Sequence, residues 1–190
     1  LVQREIHDLL VARLAEQFAA LRAGPAEADL DVGPLISGQQ YKRVLDYIAQ
    51  GRAELTAAAE GGVIADAPEG GYYIPPILFT GVTGSHRLAQ EEIFGPVVVV
   101  IPFDDEDEAV AIANGTPYGL VAGVWTLDGG RQMRLARRLR AGQVFLNNYG
   151  AAGGVELPFG GVGRSGHGRE KGMEALLSFS ALKTVAAHHG

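Results

Sequence analysis

The chain has 190 residues, enough for one domain with its own core, and its 47% hydrophobic and 20% charged residues are ordinary for a water-exposed globular protein. A net charge of -6 and a pI near 5.3 argue against nucleic acid or an anionic membrane as partner. The cysteine count of 0 excludes a disulfide framework, thiolate metal sites and a cysteine nucleophile within these residues. No apolar run has membrane-spanning length, and the longest, residues 96–103, reads as a buried strand. The first residue is Leu1 and no signal peptide follows it, so the expectation is a piece of a longer product, with the cytoplasm as its compartment.

Residues 1–3 read as the tail of a strand. Residues 6–21 form a helix in which Leu10, Leu14, Phe18 and Leu21 recur at the spacing of one buried face, and Gly24-Pro25 stops it. After a loop, Ser37 opens a second helix with Gln40 three residues on, the pattern of a capping box. Tyr41, Val44, Leu45 and Ile48 form its apolar stripe, and Gly51 is expected as its stop. A short apolar piece and a turn at Gly61-Gly62 follow. Residues 72–79 are extended, and Pro75-Pro76 places them at a sheet edge or in a crossing strand.

Residues 97–103 are rich in β-branched side chains and read as a strand buried on both faces. The helix over 104–113 carries acids in its first turn, which suits the helix dipole. Strand 121–126, helix 128–139 and strand 143–147 come next. A glycine-rich loop fills 148–168, a short helix 170–177, and a last strand 179–187. Strands alternating with helices predict an α/β fold with a mainly parallel sheet flanked by helices.

Two loops carry candidate chemistry. The glycine-rich loop follows a strand, and ligand sites in α/β sheets gather beyond the carboxyl ends of strands. A plain loop built from tight turns explains it equally well. In residues 91–96, Glu-Glu-Ile-Phe-Gly-Pro, a carboxylate beside an aromatic could grip a sugar diol and pack on a flat ring; a solvated acid pair with a core phenylalanine is the plainer account.

Other patterns fall away. Gly161, Gly163 and Gly166 have dinucleotide-loop spacing, but no buried strand precedes them and no acid sits at the expected offset, which also disfavours a phosphate-binding loop protein. The acids at 104–108 read as a solvated helix start rather than a metal site, and the arginines between 131 and 140 as the wet face of a helix. The five histidines show no metal spacing, and Gly-x-Ser-x-Gly does not occur.

Several blocks resemble the aldehyde dehydrogenase superfamily, in its order: residues 31–36 (DVGPLI), 71–76 (GYYIPP), 91–96 (EEIFGP), 113–120 (ANGTPYGL), 147–149 (NNY) and 158–172 (PFGGVGRSGHGREKG). They span essentially the whole chain and are similar to the C-terminal part of the catalytic domain of the NAD(P)-dependent enzymes. The resemblance implies oxidation of an aldehyde to a carboxylic acid: a cysteine thiolate attacks the carbonyl, hydride leaves to the nicotinamide, and water hydrolyses the thioester.

It further implies that Glu92 bonds the nicotinamide ribose, that Phe94 packs near the nicotinamide, and that Gln40, backed by Arg43, lies on the cofactor's adenosine side. Phe159 would wall the aldehyde site, and Asn147, Tyr149, Ala151 and Ala152 would border the substrate channel, the two alanines leaving room for a bulky aldehyde. Glu170 resembles a buried proton-relay carboxylate, with pairing to Arg169 the alternative. Residues 1–178 are then part of a catalytic domain and 179–190 an oligomerisation strand and tail. The nucleophile, the general base and the N-terminal NAD-binding domain lie outside the chain. The expected partners are a small aldehyde, NAD or NADP, and either the missing N-terminal half or a second copy. The alternative is a non-catalytic assembly module that joins an intact dehydrogenase. The persistence of Glu92, Phe94 and Phe159, which a scaffold has no use for, favours the fragment.

Overall fold

The computed structural model describes residues 1–150 and 154–190. It divides into two compact units, Leu1–Ala109 and Val110–Gly190. In chain order the elements are β1 (Val2–Gln3), α1 (Arg4–Ala20), β2 (Arg22–Ala23), α2 (Gly38–Glu54), β3 (Thr56–Glu60), β4 (Gly62–Val63), β5 (Ile77–Thr80), α3 (Arg87–Gln90), β6 (Val97–Val99), β7 (Pro102–Phe103), α4 (Glu106–Asn114), β8 (Val121–Val124), α5 (Gly129–Arg138), β9 (Gln143–Leu146) and α6 (Gly172–Ser178).

The fold class is as expected, α/β with mainly parallel pairing and flanking helices. β1 with β7, β2 with β4, β5 with β6 and β8 with β9 are parallel, and only β3 with β5 is antiparallel. The first unit is built on the β3-β5-β6 sheet. The three leading residues of β5, Ile77, Leu78 and Phe79, are fully buried, and Val44, Tyr47 and Ile48 of α2 pack into the same core. On the side of α1, Val2, Leu78 and Val100 form a cluster against Val11, Leu14 and Phe18.

Three expectations need correcting here. β5 is the central strand of its sheet rather than an edge: the prolines stop one residue short of it, the Pro76 carbonyl accepts from Gly61 N at 2.8 Å, and the first paired amide, Ile77 N, donates to Pro96 O at 2.9 Å. Gly51 does not stop α2, which runs on to Glu54. It sits instead against the Phe79 ring, where a Cβ would come within 2.6 Å. The stretch 97–103 is two short strands rather than one, and it is not buried on both faces, since Val98 is exposed.

The second unit is thinner. Among its described residues only Val110 and Val124 are buried hydrophobics. β8 and β9 pair over four residues, and α5 lies along them, capped at Asp128, which accepts from Arg131 N. That bond is the first cause holding the Asp128 carboxyl below its usual value. The segment 179–190 enters no strand pairing with the described residues, so the expected last strand is not formed. Phe179, Leu182 and Val185 are all exposed, because a strand needs a neighbour to pair with.

Candidate functional site

Each unit carries one candidate region. In the first, residues 91–96 lie across α2. Four side chains of that helix, Gln40, Arg43, Val44 and Tyr47, recur three to four apart and so share one face. Gln40 Nε2 donates to Ile93 O at 2.7 Å and to Phe94 O at 3.0 Å. Arg43 Nη2 donates to Glu92 O at 2.6 Å. Val44 leaves no room for a Cβ at Gly95, which would stand 2.6 Å from its methyl group. Tyr47 Oη donates to the Glu91 carboxylate, and Arg87 Nε reaches the other oxygen of the same group at 3.1 Å. The Tyr47 bond first, and then Arg87, hold the Glu91 carboxyl below the ordinary glutamate value.

The backbone is thus gripped while two side chains are left outside. Ile93 is buried, Phe94 is 68% exposed at a positive φ of 53°, and Glu92 is exposed with no side-chain partner among the described residues. An unengaged carboxylate beside an unengaged ring fits a ligand that offers a diol and a flat heterocycle. Gln40 is placed differently from the expectation, since its amide N–H groups are spent on the loop.

Ser37 does cap α2, accepting from Gln40 N at 3.2 Å. With the Gln40 side chain turned to the loop, only half of the capping box forms. The spacing of Arg43 and Tyr47 could have been read from the sequence as a stripe. Nothing in the sequence says that the stripe meets a loop about fifty residues away.

In the second unit a cleft of about 240 Å3 opens on one face of β8 and β9. Val121, Gln143 and Phe145 form its floor; Tyr149, Leu157 and Phe159 wall it, and Lys171 reaches its rim. Two of the predicted substrate residues, Tyr149 and Phe159, therefore share one cleft. Ala151 and Ala152 lie outside the described residues. Asn147 does not line the cleft. Its amide is committed to Thr126, accepting from the backbone N–H at 2.9 Å and donating to the carbonyl at 2.9 Å, while its own N–H bonds Val124 O at 2.8 Å. It extends the β8–β9 pairing from a positive φ of 51°.

The glycine-rich loop is tied at several points. Phe159 and Glu170 exchange backbone bonds of 2.6 and 2.7 Å, and Arg169 Nη1 donates to Gly161 O and Gly168 O. Gly142, just before β9, meets Gly160 O of the loop so closely that a Cβ there would overlap it at 1.7 Å, so the loop's approach requires a glycine at 142. Glu170 departs from expectation. Its carboxylate is exposed rather than buried, and Arg169 is turned to the loop carbonyls rather than to Glu170. Leu157, Phe145, Gln143 and Lys171 were not anticipated as lining residues. The alternation of β9 could have supplied the first two strand positions, whereas the loop positions follow only from its folding. Among the described residues no group of three or more acids and histidines could hold a metal, and no helix is long and apolar enough to cross a membrane.

The aldehyde dehydrogenase family model matches residues 1–185. A betaine aldehyde dehydrogenase of Mesorhizobium japonicum is 42% identical over 192 aligned positions, taking in 100% of this chain and 39% of its own length. One from Sinorhizobium fredii is 46% identical, covering 97% of this chain and 38% of its own length. Among solved structures, an aldehyde dehydrogenase assignment from Burkholderia cenocepacia superposes with a TM-score of 0.94 at 64% identity, over 99% of this chain and 40% of that one. A Bacillus cereus aldehyde dehydrogenase solved in complex with NAD+ gives 0.84 at 42% identity, over 92% and 35%. The chain therefore spans about two fifths of the length of the relatives it matches.

Proposed function

The chain belongs to the aldehyde dehydrogenase family, and from that premise we propose that its 190 residues are the C-terminal part of the catalytic domain of an NAD(P)-dependent aldehyde dehydrogenase. The observation that carries this is the pinned 91–96 loop, in which α2 holds the carbonyls of Glu92, Ile93 and Phe94 while the side chains of Glu92 and Phe94 are left unengaged.

Glu92 is assigned to the ribose hydroxyls of the cofactor and Phe94 to its nicotinamide ring. NAD(P), when bound, supplies the hydride acceptor. Phe159 and Tyr149 wall the aldehyde, with Ala151 and Ala152 assigned to the same channel. Asn147 acts on that channel through the backbone it holds. Glu170, its carboxylate exposed, is assigned to proton exchange with solvent as its part in a proton relay. Gln40 serves the cofactor through the loop it grips. The nucleophile comes from outside these residues, since the chain has no cysteine. The thin second unit and the exposed 179–190 segment are the surfaces assigned to the remainder of the protein or to a second copy.

The test is kinetic. The full-length protein should form NAD(P)H only when an aldehyde is supplied, and Glu92→Gln should raise the cofactor KM about fivefold, the difference of about 1 kcal/mol between a charged and a neutral hydrogen bond. The 190-residue chain alone should form none. Aldehyde-dependent NAD(P)H from the isolated chain, or an unchanged cofactor KM in the variant, would overturn the assignment.

A further inference from the structure

Tyr47 is 1% exposed, yet its hydroxyl is not idle. It donates to Glu91 and accepts from Arg43 Nη2 at 3.3 Å. Two guanidinium groups lie over the ring, Arg87 at 4.4 Å and Arg43 at 5.4 Å from its centre. Arg43 also holds Glu92 O, and Arg87 also holds Glu91 and Gln50 Oε1. One buried phenol thus joins α2, α3 and the first two residues of the loop.

What the clasp holds is strained. Phe94 has left-handed backbone, which a bulky residue seldom adopts and which persists only where the surroundings fix it. The loop has no strand or helix hydrogen bonds of its own between Glu92 and Phe94; its carbonyls go to Gln40 and Arg43. We propose that Tyr47 is a positioning residue: clasped by Arg43 and Arg87 and bonded to Glu91, it fixes the loop geometry with which Glu92 and Phe94 meet the nicotinamide cofactor. This rests on the cofactor reading given above.

The clasp has an acid limit. The groups facing Glu91 are Tyr47 and Arg43 from α2 and Arg87 from α3, and all three favour its charged form. Because the folded carboxyl titrates below its ordinary value of 4.5, its stabilising share is complete above that value and lost as the pH falls through the folded one. Without the phenol, the folded value moves back up toward the ordinary one.

The experiment is Tyr47→Phe in the full-length protein, which keeps the ring beside the guanidiniums and removes only the hydroxyl. Two readouts are needed. Hydrogen exchange of the peptide containing residues 91–96 should speed up relative to wild type, and its acid-induced acceleration should begin at a higher pH. Dinucleotide affinity, measured by calorimetry, should fall about tenfold. Unchanged exchange overturns the clasp. Faster exchange with unchanged affinity overturns its role toward the cofactor. If wild type and variant alike bind no dinucleotide, the cofactor reading itself fails and takes this role with it. Arg87→Lys keeps the charge beside Glu91 but not the flat stack on Tyr47. Its exchange should fall between wild type and Tyr47→Phe, and exchange faster than in Tyr47→Phe would overturn the ranking that makes the phenol central.

Discussion

Lys171 is the only charged side chain among the described residues lining the β8–β9 cleft, and its ammonium stands 5.8 Å from the centre of the Phe159 ring. No carboxylate lines the cleft with it, so a ligand there meets apolar walls and one positive charge. An aldehyde carrying a fixed cation, such as betaine aldehyde, would bring like charge to that rim. Two like charges about 4 Å apart in water repel by about 1 kcal/mol, or about fivefold. Lys171→Met in the full-length protein should therefore raise kcat/KM for a trimethylammonium aldehyde about fivefold relative to its uncharged tert-butyl isostere. An unchanged ratio would remove Lys171 from the determinants of specificity. This residue was not legible in the sequence, where it sits in a glycine-rich block matched to the family by its neighbours. Asn147 shows the opposite failure. Its position was legible and its chemistry was not, because an amide that completes a strand pairing looks in one dimension like an amide that faces a ligand.

At the scale of elements, α2 organises the first unit, and Gly51 shows how tightly. Replacing a mid-helix glycine by alanine normally gains about 1 kcal/mol. Here the added methyl would lie 2.6 Å from the Phe79 ring and 3.1 Å from Leu88, both buried. Overpacking of that kind costs about 1–3 kcal/mol, and with no exposed side to yield into, it outweighs the propensity gain. Gly51→Ala should lower the urea midpoint; a raised midpoint would show that Phe79 can move. The start of this helix was legible at Ser37, because a cap is a local bond. It misled on the end, because a glycine that ends a helix and one that admits a neighbouring ring are the same letter. Pro75-Pro76 misled in the same way. The rule against prolines in central strands holds, and the pair obeys it by ending one residue before the pairing begins.

At the scale of the whole molecule, the alternation of strands and helices and the ordered family blocks made the fold class and family readable from the chain. The partners of its exposed surfaces were not, since a sequence records that a face is apolar and not what that face meets. The clearest such surface is the end. Phe179, Leu182 and Val185 are 93%, 107% and 80% exposed, with Phe179 and Val185 falling on one face of any strand formed there and Leu182 on the other. Burying three such side chains is worth about 5–9 kcal/mol per strand. Two strands pairing across a symmetric contact would double that, against an association cost of about 4–15 kcal/mol. At the middle of both ranges the balance is about 4 kcal/mol in favour, so the 190-residue chain should self-associate at about millimolar concentration. Sedimentation at increasing concentration should show it, and a chain ending at Ser178 should sediment as a monomer while keeping the same circular dichroism per residue over the remainder. If both chains associate alike, the contact lies on other surfaces, of which the exposed Ile6 and Leu9 of α1 are the next to test. If neither associates, the unpaired segment is not an adhesive edge, and the oligomerisation strand expected from the family has no counterpart in this chain acting alone.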